Sequence, residues 1–499
     1  MTSGGRGSTV IFQIRTNDRV LAIGSAAELR ALHEELTFDL GEKRGKPNRM
    51  CLYDPIGQSF AIGLLTEAES AMRSRGIPVL RNDFRRRPAQ RRGLPLSWLL
   101  PHQRGAVDAA IDRAVLCIDV PTAGGKGEII AAIVGEVLCE WLVLCDDRKV
   151  LHQLGGPHYQ DPAKKSGRIA LRTGEAPGRI GDGIWEADRR VTVASPATLD
   201  QHWDGERWSD AVLALFRRVR GLIYDEVHMS GSPRSQRILR ELGGCYWRIG
   251  TSATIDGRSD KRDASVRAQF GPVGYRVPAQ ELEAQGIIAT QKIRMVRCDQ
   301  PDTAHYDAGG YQRAISLSKT RNAVVAKIWL RKRTGVLTFV RELDHGRYLL
   351  RCAEHLGLRA EFVHGEHKTA ERDAILERFE RGETAILICS DVFRQGADII
   401  HAYTSINAAG GASPIGATQR RGRAGRICRA VDCPRCAEMG KKDSAEVYDV
   451  YDTDSLAEER RRVHRQRLPG LWLRRHAEAR LRAYQEKGAL VEMIGVEEI

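Results

Sequence analysis

Residues 120–130 read VPTAGGKGEII, and the reading of this stretch decides the fold. An apolar strand runs into a Gly-rich turn, then a lysine, then the start of a helical pattern. Backbone N–H groups in such a turn point at an anion, and the Lys126 ammonium adds a full positive charge. Thr122, Ala123, Gly124, Gly125 and Lys126 are therefore a candidate cradle for the phosphates of ATP. Gly127 departs from the usual pattern. That position ordinarily carries Ser or Thr, whose hydroxyl holds the Mg²⁺ bridging the outer phosphates. The departure removes one Mg²⁺ ligand, which a water can replace, because Mg²⁺ keeps several waters and few protein ligands.

Outward from this loop, apolar runs of strand length alternate with helical patterns from Leu99 onward, the signature of parallel sheets built from βαβ units. A first set reads AVLCIDV, WLVLC, VTVAS, GLIYDE and YWRIGTSAT; a second reads GVLTFV, AEFVHG, TAILICS, TSINAA and AEVYDVYD. Two doubly wound α/β lobes in tandem follow from that rhythm.

Ligands of such sheets sit beyond the carboxyl ends of the strands. In GLIYDEVHMS the apolar strand stops where Asp225 and Glu226 begin, which places two acids beside the phosphate cradle. Asp225 suits Mg²⁺, directly or through its waters, and Glu226 suits orientation and deprotonation of an attacking water. The next strand ends in GTSAT, whose Ser252 and Thr254 hydroxyls are within reach of His228 in this reading; by itself TSAT also fits a plain strand exit. In the second lobe, ATQRRGRAGRIC spaces Gln419, Arg423 and Arg426 at i, i+4 and i+7, one face of a helix. Arginines presented across a cleft stabilise the charge spread over a transferring γ-phosphoryl group.

PHQRGA at 101–106, PTAGGKG, SPATLD at 195–200, DEVH, GTSAT, SDVFRQGAD and QRRGRAGR resemble, in content and order, the successive motifs of superfamily 2 helicases of the DExH kind. The resemblance covers roughly residues 96 to 455. In layout the chain looks most like the phage UvsW-type helicases that remodel branched DNA. The resemblance implies two RecA-like lobes, ATP and Mg²⁺ as cofactors, and a nucleic-acid strand as partner, DNA being favoured over RNA. It implies that Gln103 reads adenine, Lys126 grips phosphates, and Asp225 and Glu226 serve metal and water. Arg423 and Arg426 become arginine fingers, Gly396 and Asp398 couple the nucleotide and strand sites, and Thr198 contacts the nucleic-acid backbone. Asp146-Asp147-Arg148-Lys149 stands where the family usually has Pro-Thr, so the strand contacts of that segment are not carried over. An RNA helicase and a nucleotide-gated clamp with weak turnover are the rival readings, the second resting on Gly127.

The expected organisation is a small α+β module at 1–95, RecA-like lobes at 96–295 and 296–455, and an Arg-rich helical tail at 456–499. The module ends in RNDFRRRPAQRRGLP, a solvated hinge or a phosphate-contacting strap. In the tail, Leu468, Leu471, Trp472, Leu481 and Tyr484 can dock a helix while its arginines face outward, or the arginines can meet nucleic acid. The 499 residues carry a net charge of +14, which favours a polyanionic partner. Neither a membrane-spanning run nor a signal-peptide core is present, and Cys117, Cys145 and Cys389 sit in apolar strand-like runs, so a cytoplasmic, reducing location is expected. Cys428, Cys433 and Cys436 form half of a plausible zinc site, with His401 or His464 as a fourth ligand arriving through space; incidental loop thiols are the alternative.

Overall fold

Each apolar run named above forms a strand in the computed structural model, which describes residues 9–43, 46–156, 167–255, 263–299, 310–390, 399–430, 432–453 and 471–499. The chain divides into two compact units at Val277/Pro278, with the four residues Pro121–Gly124 grouped with the second.

The first unit holds an eight-stranded sheet in the order Ile184–Trp185, Gly178–Gly181, Val191–Ala194, Trp141–Leu144, Gly221–Asp225, Trp247–Ser252, Val115–Asp119, Val273–Arg276. Only the Ile184–Trp185 hairpin strand runs antiparallel. The strands Gly221–Asp225 and Trp247–Ser252 are buried at every position, as expected for a parallel sheet covered on both faces. Leu142, Leu222, Tyr224, Val227 and Phe270 are the centre of one packed face. The strand carrying the phosphate loop, Val115–Asp119, is next to Trp247–Ser252, which pairs in turn with Gly221–Asp225. Three neighbouring strand ends therefore converge on one edge of the sheet.

The N-terminal module belongs to this same unit. Its mixed sheet, ordered Tyr53–Asp54, Ser59–Ala61, Arg19–Ile23, Val10–Ile14, Val79–Asp83, packs Val10, Phe12 and Phe60 against Leu32 of the helix Ala26–Glu35 and Met72 of the helix Leu65–Ser74. The basic stretch after it is neither a free hinge nor an open strap along its whole length. Arg87 donates to the Ile111 carbonyl at 3.1 Å and lies over the Trp247 ring, and Arg91 pairs with Glu136 at 2.8 Å and with Asp108. Those arginines hold the segment on its own lobe, while Arg86 and Arg92 remain exposed.

The second unit begins at Pro278, earlier than the patterning places its boundary. Its seven-stranded parallel sheet runs Ala360–Val363, Ile386–Cys389, Val336–Phe339, Thr404–Asn407, Ser444–Thr453, Thr290–Asp299, Val491–Ile494. Thr290–Asp299 pairs along its whole length with Ser444–Thr453. Its alternation of buried Ile293, Met295 and Cys298 with polar neighbours hides it among charged residues in the sequence. The C-terminal segment closes the sheet edge with Val491–Ile494 and supplies the helix Leu471–Glu486. Here the expectation of outward arginines holds for Arg475 and Arg482, which are exposed, and is corrected at Arg480. Arg480 is fully buried and donates to Asp449 at 3.0 and 3.1 Å, to the Gly411 carbonyl at 2.5 Å and to the Val450 carbonyl at 2.7 Å. Tyr484 and Asn407 also donate to Asp449, at 2.8 and 3.0 Å, and Arg420 donates to Asn407 at 3.1 Å. A charge buried at this depth needs such a set of partners, and breaking a pair of this kind costs about 3–5 kcal/mol. Leu468 and His464 lie outside the described residues.

Candidate active site

Helix Lys126–Glu136 starts at Gly125, whose φ of 88° is left-handed. A side chain there would be strained, and its Cβ would stand 2.1 Å from Nε2 of Gln103. Gln103 sits in the first turn of helix Pro101–Arg113, 5% exposed, and accepts from the Leu100 N–H at 3.0 Å. The glutamine and the turn of the phosphate loop are thus in direct apposition. Ala123 also has positive φ, 69°, an uncommon conformation for a residue with a Cβ and one that clusters at functional sites.

From the lysine the site extends to the paired acids. Lys126 Nζ donates to Glu226 Oε1 at 2.7 Å. Asp225 ends its strand 6% exposed, and its Oδ1 accepts from the Thr251 hydroxyl at 2.7 Å. Glu226 turns the chain away from the strand with φ 54° and ψ 55°. Gly250 makes that turn possible: a Cβ at 250 would lie 2.5 Å from Cγ2 of Val227, the apolar residue that anchors the turn. Ser252 donates to Glu226 Oε2 at 2.8 Å and accepts from the Thr254 N–H at 3.0 Å. Ser252 Oγ also lies 3.1 Å from Nδ1 of the buried His228, so the imidazole is hydrogen-bonded into the same chain of contacts.

The two carboxyls are driven apart. Burial, and then the neighbouring Glu226 charge, raise Asp225 above the ordinary carboxylate range. Burial also opposes the charge of Glu226, but Lys126, His228 and the hydrogen bonds from Lys126 and Ser252 outweigh it and hold this carboxyl low. A buried carboxyl at a strand end, with a hydroxyl already donating to one oxygen, keeps its other oxygen for a hard cation that brings its own waters, and such a cation would offset the burial and the Glu226 charge that disfavour ionised Asp225. These residues fit Mg²⁺.

Gly127 itself has an ordinary backbone. A Cβ there would meet Cδ of Arg168 at 3.0 Å, and Arg168 is held by Glu128 at 3.0 Å. Arg168 is flexible and partly exposed, so it can swing aside. We expect Gly127→Thr to lower the Mg²⁺ concentration for half-maximal ATP hydrolysis by roughly tenfold, the value of one regained metal or hydrogen-bonded contact. Unchanged Mg²⁺ dependence in this variant would show that position 127 does not face the metal. Glu128, Arg168 and Thr251 were not singled out from the sequence. Thr251 could have been, since it is the first hydroxyl of GTSAT.

Elsewhere in this unit, Asp146 and Asp147 serve the fold: Asp146 accepts from the Tyr224 hydroxyl at 2.7 Å, and Asp147 caps helix Arg148–Gly155 through the N–H groups of Lys149 and Val150. Thr198 lies on the short helix Pro196–Asp200 beyond the strand Val191–Ala194.

In the second unit, helix Pro414–Ala424 carries Gln419 and Arg423, 6% and 4% exposed. Gln419 Nε2 is buried with no hydrogen-bond partner among the described residues. Arg426 departs from the expected helical face. The helix stops at the Gly425 cap, so Arg426 lies beyond it and is more exposed than Arg423. Arg421, between Gln419 and Arg423, is turned inward to Gln291 at 2.6 Å. Gly396 and Asp398 lie outside the described residues.

Phosphate loop, paired acids and hydroxyl strand on one parallel sheet, followed by a second parallel sheet with an arginine helix, define a two-lobed RecA-like protein of the P-loop class. The helicase conserved C-terminal domain family matches residues 320–428. The DNA 3'-5' helicase XPB of Mycobacterium tuberculosis is 30% identical over 384 residues, covering 74% of this chain and 64% of the relative. A fragment of a putative HsdR subunit of a type I restriction enzyme from Vibrio vulnificus shares the fold, with TM-score 0.50, 17% identity, and coverage of 72% of this chain and 64% of that one. The crystal structure of T4 UvsW aligns over 98% of this chain and 100% of its own, with TM-score 0.42 and 16% identity. Over residues 320–428 the chain carries the helicase conserved C-terminal domain, and across both lobes it is similar to the DNA helicase named above. It spans a little under two thirds of the length of the curated relatives it matches first. Among the described residues no helix is long and apolar enough to cross a membrane.

Proposed function

We propose that this chain is an ATP-driven DNA translocase or helicase, in which Lys126, Asp225 and Glu226 hold and hydrolyse a triphosphate and Gln419, Arg423 and Arg426 contribute to its turnover. The observation that carries the reading is the Lys126–Glu226–Ser252–His228 chain of contacts at three adjacent strand ends. Glu226, kept ionised by its neighbours, is the base that orients and deprotonates the attacking water. Lys126 leaves Glu226 when phosphate oxygens offer it a stronger partner, so nucleotide binding frees the base. Asp225, with waters, would hold a Mg²⁺, which would supply charge neutralisation at the phosphates. Ser252 and Thr254 relay the state of Glu226 toward the elements that meet the strand, where Thr198 contacts backbone phosphate. Gly396 and Asp398 couple the two sites, and Gln103 reads the base of the nucleotide. Alternating affinity for the strand through the ATP cycle converts hydrolysis into movement.

DNA as the partner is supported by the name of the mycobacterial relative and by the net charge of +14. A second reading, a nucleotide-gated clamp with little turnover, draws on Gly127. ATP hydrolysis measured with single-stranded, duplex, forked and Holliday-junction DNA, beside RNA, separates these. We expect DNA to stimulate hydrolysis more than RNA does and binding to weaken steeply with salt, as counterion release requires. Equal or greater stimulation by RNA points to an RNA helicase, and tight nucleotide-dependent binding without stimulated turnover points to the clamp.

A further inference from the structure

The thiols that follow the arginine helix are not scattered. Sγ of Cys428, Cys433 and Cys436 and a ring nitrogen of His401 all lie within 4.8 Å of one another. Nε2 of His401 is 3.3 Å from the Cys433 sulfur and 3.7 Å from that of Cys436. A tetrahedral zinc ion with bonds of about 2.3 Å to sulfur and about 2.0 Å to nitrogen sets its ligands roughly 3.5–3.8 Å apart. The cluster is near that spacing already, and a small inward movement closes it.

Its surroundings are those of a built site. Nδ1 of His401 faces Glu380 Oε2 at 2.6 Å, an arrangement that turns Nε2 toward the sulfurs and makes it a better donor to a metal. Glu380 also accepts from the Ile400 N–H at 2.8 Å, fixing the backbone that carries the histidine. Lys442 brackets the same turn, donating to the carbonyls of Ile400 and Ala402 at 2.5 and 3.0 Å. Cys433 caps the short helix Pro434–Met439, so the CPRC turn offers two sulfurs from one side, while Cys428 arrives buried from the other. Apart from these three, the chain's cysteines lie away from any other potential ligand cluster among the described residues.

We propose that His401, Cys428, Cys433 and Cys436 form a closed structural zinc site. Four protein ligands leave no open position, so the ion is structural and not catalytic. Zinc binding displaces the thiol protons, the three sulfurs entering as thiolates and the protons passing to solvent. The ion crosslinks the segment leaving helix Pro414–Ala424 to the root of strand Thr404–Asn407, and Arg426 stands two residues from the first ligand. The site thereby holds in place the end of the chain segment that presents this arginine.

The test is metal content of the full chain, purified without chelator or immobilised-metal chromatography. About one zinc per chain is expected, retained in Cys51→Ser and lost in Cys433→Ser. Should Cys433→Ser fail to fold, cobalt added to apo wild-type chain gives the second measurement: the intense visible bands of tetrahedral cobalt thiolate are expected. Less than about a tenth of an equivalent of zinc in wild type, even after zinc addition and desalting, overturns the proposal, as does cobalt bound without those bands. Full zinc retention in Cys433→Ser overturns it equally.

Discussion

Glu226→Gln binds ATP and does not turn it over. The amide keeps the shape of the carboxylate, and its single oxygen can still accept from Lys126 or from Ser252, which donate to the two oxygens of the native side chain at 2.7 and 2.8 Å. It cannot take a proton from water. Loss of a positioned general base costs about 10²–10⁴ in rate, so phosphate release should fall by roughly a thousandfold. Nucleotide affinity should hold or rise, because the neutral amide competes less well than a carboxylate for the Lys126 ammonium. Fluorescent-nucleotide titration beside a phosphate-release assay separates the two quantities. Turnover within about tenfold of wild type would assign the base elsewhere.

The second large effect concerns the arginine pair. An arginine that stabilises the charge of a transferring phosphoryl group is worth about 10³–10⁵ in turnover. Arg423→Ala and Arg426→Ala should each lower kcat toward that extent while changing the KM for ATP far less, since the contact is made most strongly in the transition state. Their structural settings differ. Arg423 is 4% exposed within its helix, so its loss disturbs packing as well, whereas Arg426 lies past the helix end and is more exposed. Thermal melting of both variants distinguishes these contributions. A kcat for Arg426→Ala within about threefold of wild type, with the fold intact, would remove it from the site.

The sequence makes the first lobe's site readable because a parallel sheet sends its ligand-facing residues to strand ends. Wherever an apolar run stops at Lys, Asp-Glu or Thr-Ser, periodicity alone says which edge those side chains share. What patterning misses depends on distance along the chain. Arg480 looks like one of many solvated tail arginines, and only the fold delivers Asp449, 31 residues away, to neutralise it. His401 precedes Cys433 by 32 residues, and Glu380 behind it is a further 21 away, so neither follows from the spacing of the CPRC turn. Helix ends are equally local and equally hidden. The i, i+7 spacing of Gln419 and Arg426 fits a helix, but the cap at Gly425 interrupts it one residue too soon. The strand Thr290–Asp299 escapes notice because its buried face alternates with Lys and Arg.

ATP hydrolysis by this chain in response to DNA is the decisive property. Steady-state phosphate release by the full chain at saturating Mg²⁺, with and without DNA and beside Glu226→Gln, measures this. The expected result is DNA-stimulated release at least about a hundredfold above the Glu226→Gln background. Release no greater than that background, with DNA present and nucleotide bound, would contradict it.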